Sequence, residues 1–328
     1  MRIAQAMLLD TVRILNFDGS LLRQSQLLER FHPAVIDCAA LGPSCRLWIN
    51  EKNADRVRAV LAPGLRHTVT LTGSGDFHHI TSLLLEQFAE PISIIVFDGH
   101  PDWDILPPRR GCGSWVSAAL RQRNIQKVIL LGACSDDLSA IALHTGNLGA
   151  LADNRVELYP YAHAPTKNIF RRVPGNISLQ TKTRGPLTDI YWQELRQVVL
   201  EKFILSLVRR LPTRQAYISI DKDCLTREHA LTNWEAGGIG LDELLLMLKL
   251  LRENLDIIGA DITGEYSAPV FAGRCKAFCS RLDHPRNYSA RSTTDDMICH
   301  INQQTNLRLL DVLTGSRDPE RLSFSLTF

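Results

Sequence analysis

The chain has 328 residues, of which 45% are hydrophobic and 22% charged, as in soluble globular proteins with a large core. Its 37 basic and 35 acidic residues give a net charge of +2, which argues against nucleic acid as the main partner. We expect neither a membrane span nor a signal peptide, because no run of 18 apolar residues occurs and Asp10 interrupts the apolar start. The eight cysteines include no CxxC pair, which favours reduced thiols and a cytoplasmic protein.

Short β-branched runs alternate with longer helical patterns along most of the chain. The runs predict strands at Thr68–Thr72, Ser93–Phe97, Lys127–Leu131, Arg155–Leu158, Ala216–Ile220 and Ile257–Asp261. The helical patterns are Ile80–Phe88, Val116–Gln122, Trp192–Arg210 and Leu241–Asn254. Several strands are apolar throughout, so we predict an α/β fold with a mostly parallel sheet covered by helices. Pro165–Thr188 is predicted to be a long loop, and residues 1–60 and 275–328 are left unassigned.

The segment Ser93–Asp104 is the most informative part of the sequence. A buried strand runs directly into Asp98, and alternate residues of an extended backbone share a face. Asp98, His100 and Asp102 are therefore expected to project together. Two carboxylates and an imidazole on one face form half of a divalent metal site.

Two further segments follow the same logic. The strand Ala216–Ile220 runs into Asp221 and Asp223, with Lys222 expected on the opposite face. The strand Thr68–Thr72 is followed by a glycine turn and the tandem histidines His78 and His79. Sites in open α/β sheets form beyond the carboxyl ends of the strands, so the three segments are predicted to converge.

The charge count predicts two metal ions. Four clustered carboxylates do not stay ionised in a shielded cleft without compensation, and two divalent cations supply four positive charges. One histidine of the tandem pair would join the five other side chains. Such ion pairs hold a hydroxide between them. Carboxylate oxygens with two imidazoles favour Mn²⁺ over zinc.

These segments, in this order, resemble the arginase/agmatinase/formiminoglutamase (ureohydrolase) superfamily. The motifs that carry the resemblance are Ser74–His79, Asp98–Asp102, Asp221–Asp223, Thr232–Gly238 and Glu265–Pro269. The last motif has one residue more than the family spacing, and Thr226 replaces a usual third Asp after Asp223. The chain is identified as a divergent member, with a single arginase-like α/β domain over residues 1–328 and a family-like core at about 68–270.

The resemblance implies a three-layer α/β/α fold and two Mn²⁺ ions per chain. A metal-bridging hydroxide would attack a guanidino or amidino small molecule, and relatives commonly form homo-oligomers. Asp98 and Asp221 would bridge the ions. The remaining ligands would be Asp102 and His78 on one ion, and His100 and Asp223 on the other. Glu265 would hold the cationic nitrogen of the substrate by a charge-assisted hydrogen bond.

Two positions keep alternatives open. Alignment with the family's H-S-I-T segment assigns the metal to His78, whereas His79 is either a substitute ligand, a proton carrier or a partly exposed helix-cap residue. Cys112 stands where many relatives have a proton-shuttle histidine. Its thiol would either donate a proton or simply pack under the site.

The sequence thus predicts a binuclear metal-dependent hydrolase of linear C–N bonds. Arg109 and Arg110 lie in the loop expected to rim the site, where they would grip a substrate carboxylate or, more commonly, remain solvated. One alternative function is a deacetylase-like amidohydrolase, which would keep a single metal. The other is a catalytically altered metal-binding protein of the same fold.

Overall fold

A computed structural model describes residues 9–61, 66–169, 173–284, 288 and 290–315. In chain order its strands are β1 (Thr11–Asn16), β2 (Ala34–Asp37), β3 (Thr68–Leu71), β4 (Ile92–Phe97), β5 (Ile125–Leu131), β6 (Val156–Tyr159), β7 (Thr166–Ile169), β8 (Leu179–Arg184), β9 (Leu187–Trp192), β10 (Gln215–Asp221) and β11 (Asp256–Thr263). Eight of them form one sheet in the order β2-β1-β3-β11-β10-β4-β5-β6. Every neighbouring pair in this sheet is parallel, so all its strands end at the same edge.

Helices cover both faces of the sheet. They are α1 (Ser25–Phe31), α2 (Gly42–Cys45), α3 (Glu51–Val60), α4 (Thr81–Leu84), α5 (Trp115–Ala119), α6 (Leu148–Ala152), α7 (Leu200–Arg210), α8 (Leu241–Asn254), α9 (Arg274–Asp283) and α10 (Asp295–Thr314). Buried residues of α1, α7, α8 and α10 form one hydrophobic core, and those of α3 to α6 form another. The molecule therefore has three layers, as predicted.

Strand β4 shows why both faces of the sheet are covered. Ile94 and Val96 belong to one core, whereas Ile95 and Phe97 belong to the other. All four side chains are fully buried. Alternate residues of a strand point to opposite faces, so an apolar strand needs a helical layer on each side. The fold prediction made from these apolar runs is confirmed.

The loop predicted at Pro165–Thr188 is wrong. Strands β7, β9 and β8 form an antiparallel sheet of their own in this region. Strand β9 alternates buried and exposed residues, but Leu187 and Tyr191 are exposed whereas Thr188 is buried, so polarity does not follow the alternation. Most residues of β8 are polar, which removes the apolar signal there. The helix predicted at Trp192–Arg210 begins only at Leu200, because Trp192 ends β9.

The stretches left unassigned contribute to the main layers. Strands β1 and β2 form one edge of the sheet, and α10 packs against α8 and α1. Residues 316–328 of the unassigned tail lie outside the described part of the chain. Across the described ranges, no helix combines the length and apolar character needed to cross a bilayer.

Candidate metal centre

The three predicted segments meet at the carboxyl edge of the parallel sheet. Strands β3 and β10 flank β11, and β4 lies on the other side of β10. Asp221 is the last residue of β10, and Asp98 directly follows β4. A 3-10 helix at Gly75–Ile80, which begins four residues after β3, carries His78. Because these strand ends are neighbours, side chains that are far apart in sequence come together.

His78 lies among three carboxylates. Its Nδ1 atom is 3.1 Å from Asp98 Oδ2, 3.2 Å from Asp102 Oδ2 and 3.6 Å from Asp221 Oδ2. The imidazole is buried, which opposes its charged form, but Asp102 and Asp98 outweigh burial and raise the pKa of His78 well above its usual value. This group forms one potential coordination cluster.

His100 forms a second cluster with Asp223 and with Asp98, which also belongs to the first cluster. Its Nδ1 atom is 2.9 Å from Asp223 Oδ2 and 3.7 Å from Asp98 Oδ1. Asp98 therefore presents one carboxylate oxygen to each histidine. Potential ligand atoms of His78, Asp98 and Asp102, and separately of Asp98, His100 and Asp223, lie within 4.8 Å of one another.

The chemistry of this donor set fits divalent cations. Burial, reinforced by the charge of Asp98, raises the pKa of Asp102 to about 8 and that of Asp223 to about 6. Burial and the neighbouring carboxylates also raise the pKa of Asp221 well above its usual range. His78 Nδ1 and Asp98 Oδ2 are buried, yet neither makes a hydrogen bond of good geometry with a described residue. Divalent cations would balance the negative charge of the carboxylates and would be coordinated by these two donor atoms.

The route by which Asp102 reaches the site differs from the sequence prediction. The chain after β4 is not an extended strand but bends, and Asp102 has a φ of 47°, in the left-handed region. Aspartate adopts this conformation more readily than most other non-glycine residues. Trp115 Nε1 donates to Asp102 Oδ2 at 2.8 Å, which holds the carboxylate towards His78.

Two glycines make room for Asp221. A Cβ atom on Gly75 would lie 2.7 Å from Asp221 Oδ2. One on Gly264, whose φ is +90°, would lie 2.5 Å from Asp221 Oδ1 and 2.6 Å from the Lys222 backbone nitrogen. A larger residue at either position would displace the carboxylate.

His79 does not take part in this cluster. The prediction of a partly exposed helix-cap residue is wrong, since His79 is fully buried. Burial, with the nearby Lys276 and His78, lowers the pKa of His79 to about 3. Among described carboxylates, none lies within ion-pair distance of His79. The structure thus brings His78 rather than His79 to the aspartates.

Glu265 is not placed where its expected role requires. Its carboxylate pairs with the Lys222 ammonium group and also accepts hydrogen bonds from Asn306 Nδ2 at 2.7 Å and Gln24 Nε2 at 3.0 Å. Both oxygens are therefore occupied by the protein itself, and Glu265 is not among the residues that line the cavity described below. Lys222 begins a 3-10 helix at Lys222–Cys224, so the predicted strand alternation does not extend to it; it is fully buried and absent from the cavity lining.

A cavity of about 840 Å³ opens over the candidate ligands. Its apolar wall includes Trp48, Leu106 and Trp234, and Cys112 also lines it. Its acidic lining comprises Asp98, Asp102, Asp104, Asp136, Asp137, Asp221, Asp223 and Glu235. Among the described residues of this lining there is no lysine or arginine, so the carboxylates outside the candidate ligand set, Asp104, Asp136, Asp137 and Glu235, favour a negative potential in the cavity.

The two rim arginines point elsewhere. Arg110 Nε lies 2.7 Å from Glu51 Oε1 and its Nη1 lies 3.3 Å from Glu86 Oε1. Neither Arg109 nor Arg110 belongs to the cavity lining. The structure therefore gives them no part in gripping a substrate carboxylate.

Sequence reasoning missed several polar residues that support the cluster. Ser219 forms a hydrogen bond with His78 Nε2, and Asp261 in turn forms one with Ser219. Glu235 Oε1 lies 3.4 Å from His100 Nε2. The sequence does contain a signal for Ser219 and Asp261, because each is a polar residue within an apolar strand. Trp115 carried no such signal, since it sits in an ordinary apolar helix pattern.

Comparison with known sequences gives one informative relative. No family model matches the chain. A protein of Thermotoga maritima, described only as uncharacterized, is 24% identical over 257 residues, which cover 77% of this chain and 79% of that protein.

Solved structures resemble the chain over nearly its whole length. Arginase from Entamoeba histolytica, solved with L-ornithine, has a TM-score of 0.55 at 12% identity and covers 95% of this chain and 100% of its own. Arginase from Bacillus subtilis has a TM-score of 0.54 at 14% identity, covering 94% and 99%. Formimidoylglutamase from the same species has a TM-score of 0.53 at 14% identity, covering 96% and 90%. The arginase-like three-layer α/β/α fold is thereby confirmed, and with it, at the level of the fold, the resemblance to the ureohydrolases.

Proposed function

We propose that this chain, as a divergent ureohydrolase, is a metal-dependent hydrolase of linear C–N bonds that cleaves a guanidino or amidino small molecule. One observation carries the proposal: two groups of potential ligands share Asp98, which lines a large cavity. A carboxylate shared by two groups of potential ligands is suited to a pair of neighbouring divalent cations. We propose two Mn²⁺ ions per chain, because oxygen donors dominate the set.

The six candidate ligands would hold the two proposed ions. When bound, the two cations supply Lewis acidity and an activated water at neutral pH. Asp98 and Asp221 would bridge the ions; the other donors would be His78 and Asp102 for one, and His100 and Asp223 for the other.

Glu235 is the group best situated to hold the cationic nitrogen of the substrate. It lines the cavity beside His100, and although burial opposes ionisation, His100 outweighs it and lowers the pKa of Glu235. The anionic carboxylate would take the charge-assisted hydrogen bond first expected of Glu265. Cys112, on the same cavity, would deliver a proton to the leaving amine.

The charge of the cavity indicates which substrates fit. Beyond the six candidate ligands, the lining carries Asp104, Asp136, Asp137 and Glu235, with no basic residue among its described members. A guanidinium or amidinium cation is attracted into such a cavity, whereas a substrate that bears a carboxylate is repelled. We therefore propose a cationic guanidino compound without a carboxylate.

A substrate panel tests the function. The protein is incubated with added Mn²⁺ and guanidino, formimino or acetamido compounds, and urea, formamide and acetate are measured. We expect urea from cationic guanidino compounds and no product from the Asp221→Ala variant, which should also fail to load metal. Asp153→Asn, on an exposed residue after α6, is the matched control. Full activity in Asp221→Ala, or acetate as the only product, would contradict the proposal.

Cys112 supports a second candidate, a metal-binding protein that has lost turnover. A thiol is a weaker match than imidazole for proton transfer near neutral pH. If the wild-type protein binds two metal ions without hydrolysing any compound and Cys112→His gains activity, the second candidate is correct. Urea release by the wild-type protein eliminates it.

A further inference from the structure

Ser219 and Asp261 form a polar pair behind His78. They lie opposite one another on the neighbouring strands β10 and β11. Ser219 Oγ is 2.9 Å from His78 Nε2 and 2.8 Å from Asp261 Oδ1. All three side chains have an exposure of 1% or less, and neither Ser219 nor Asp261 lines the cavity.

The chemistry of the pair determines the direction of both hydrogen bonds. An ionised carboxylate only accepts hydrogen bonds, so Ser219 donates its single hydroxyl hydrogen to Asp261. Ser219 Oγ is then left as an acceptor towards His78, whose Nε2 must carry the proton. A metal-bound imidazole is neutral and has one N–H, so with the proton on Nε2 the lone pair of Nδ1 is available to a metal ion on the side of the three carboxylates.

We infer that Ser219 and Asp261 are positioning residues that hold His78 in the tautomer and orientation in which Nδ1 is available as a ligand. The inference rests on the proposed metal centre. Ligating histidines depend on such partners, because the hydrogen bond on one ring nitrogen determines what the other can do.

His100 has a different partner, which does not involve Ser219 or Asp261. Its Nε2 atom lies 3.4 Å from Glu235 Oε1 on the cavity side, and its side chain is 14% exposed. Disrupting the Ser219–Asp261 pair should therefore weaken only one of the two metal equivalents. This asymmetry separates a positioning role from general destabilisation, which would affect both.

Mn²⁺ titration followed by the EPR signal of unbound ion provides the test. Ser219→Ala should weaken one of two equivalents by about 10- to 100-fold and leave the other unchanged. Asp261→Leu should have the same effect, although the hydrogen bond of Asp261 is to Ser219 and not to the His78 ring. Asp261→Asn keeps an acceptor oxygen, so its affinity for Mn²⁺ should fall much less. Ser93→Ala removes a comparable hydroxyl from buried strand β4, where Ser93 Oγ is 2.8 Å from Thr213 Oγ1, and should bind both equivalents normally.

A second readout reports the tautomer itself. In Zn²⁺-loaded, ¹⁵N-histidine-labelled protein, the His78 signals should show a proton on Nε2, and this pattern should be lost or mixed in Ser219→Ala. Unchanged affinity and unchanged signals in that variant would overturn the inference, as would equal weakening of both equivalents. Wild-type protein that binds no Mn²⁺ would overturn both the metal centre and this inference. Metal binding without turnover would contradict only the proposed hydrolysis.

Discussion

Lys222 and Glu265 form an ion pair that is shut off from solvent, with side-chain exposures of 0% and 4%. Lys222 lies between Asp221 and Asp223 in sequence, yet its ammonium group pairs with Glu265. The carboxylate of Glu265, which was expected from the sequence to bind the cationic nitrogen of the substrate, is thus neutralised by Lys222 inside the protein. Recognition of the proposed cationic substrate would have to come from other residues, such as Glu235, whose Oε1 lies 3.4 Å from His100 Nε2.

Glu265→Gln should destabilise the fold rather than weaken substrate binding. Removing one partner of a buried pair leaves an uncompensated charge and costs about 3–5 kcal/mol. Urea denaturation measures this loss, and KM for a guanidino substrate should stay close to the wild-type value. Glu90→Gln is the matched control, because the Arg66–Glu90 pair is exposed and contributes about 0–1 kcal/mol. A raised KM with unchanged stability would restore the role first expected of Glu265.

Gly264→Ala should impair metal binding. The new Cβ atom would lie 2.5 Å from Asp221 Oδ1, so the carboxylate must move. Gly19→Ala controls for the backbone: Gly19 also has a positive φ, of +76°, but has no atom within 4 Å of the added Cβ. Each variant should lose about 1–2 kcal/mol from backbone strain, yet only Gly264→Ala should lose metal, measured by elemental analysis after dialysis. Equal metal content in the two variants would count against a ligand role for Asp221.

Glu157→Gln should reduce stability in a pH-dependent way. Buried Glu157 lies 2.6 Å from Lys127 Nζ and 2.8 Å from Arg210 Nη2. Burial opposes its ionisation, but Arg210 and Lys127 outweigh burial and lower the pKa of Glu157. A lowered folded-state pKa stabilises the protein above the unfolded pKa of about 4.3, and the contribution is lost as pH falls through the folded value.

Unfolding midpoints in urea from pH 7 to about pH 2.5 check this behaviour. At pH 7 we expect a loss of about 2–4 kcal/mol in Glu157→Gln, less than for the sealed Lys222 pair because Lys127 and Arg210 reach water. The difference between wild type and variant should shrink below about pH 4.3. A difference that stays constant with pH would show that packing, not charge, is responsible.

Asp136→Asn combined with Asp137→Asn should raise KM for a cationic substrate with little change in kcat. Both residues are exposed on the cavity lining and lie outside the candidate ligand set, so they would attract the proposed substrate without taking part in the reaction. We expect a rise on the order of 3- to 10-fold and a weaker dependence of kcat/KM on salt. Steady-state kinetics at several ionic strengths measure both effects, with Asp153→Asn as the exposed control. An unchanged salt dependence would argue against the acidic lining as a recognition element.

The sequence alone determined the layered α/β fold and which aspartates and histidines meet at one edge of the sheet. Apolar strands and the polar residues that follow them are local patterns, and parallel strands carry those residues to one edge. Even where the assumed extended backbone was wrong, as at Asp102, the residues still met.

Only the tertiary structure decided how individual side chains are used. Whether His78 or His79 faces the aspartates depends on the turn of a 3-10 helix, which residue types do not specify. The fate of Glu265 depends on the exact path after β11, where Gly264 lies against Asp221 and the next residue turns to Lys222. Such choices are made by packing between distant segments, because a shift of one residue moves a side chain to another face.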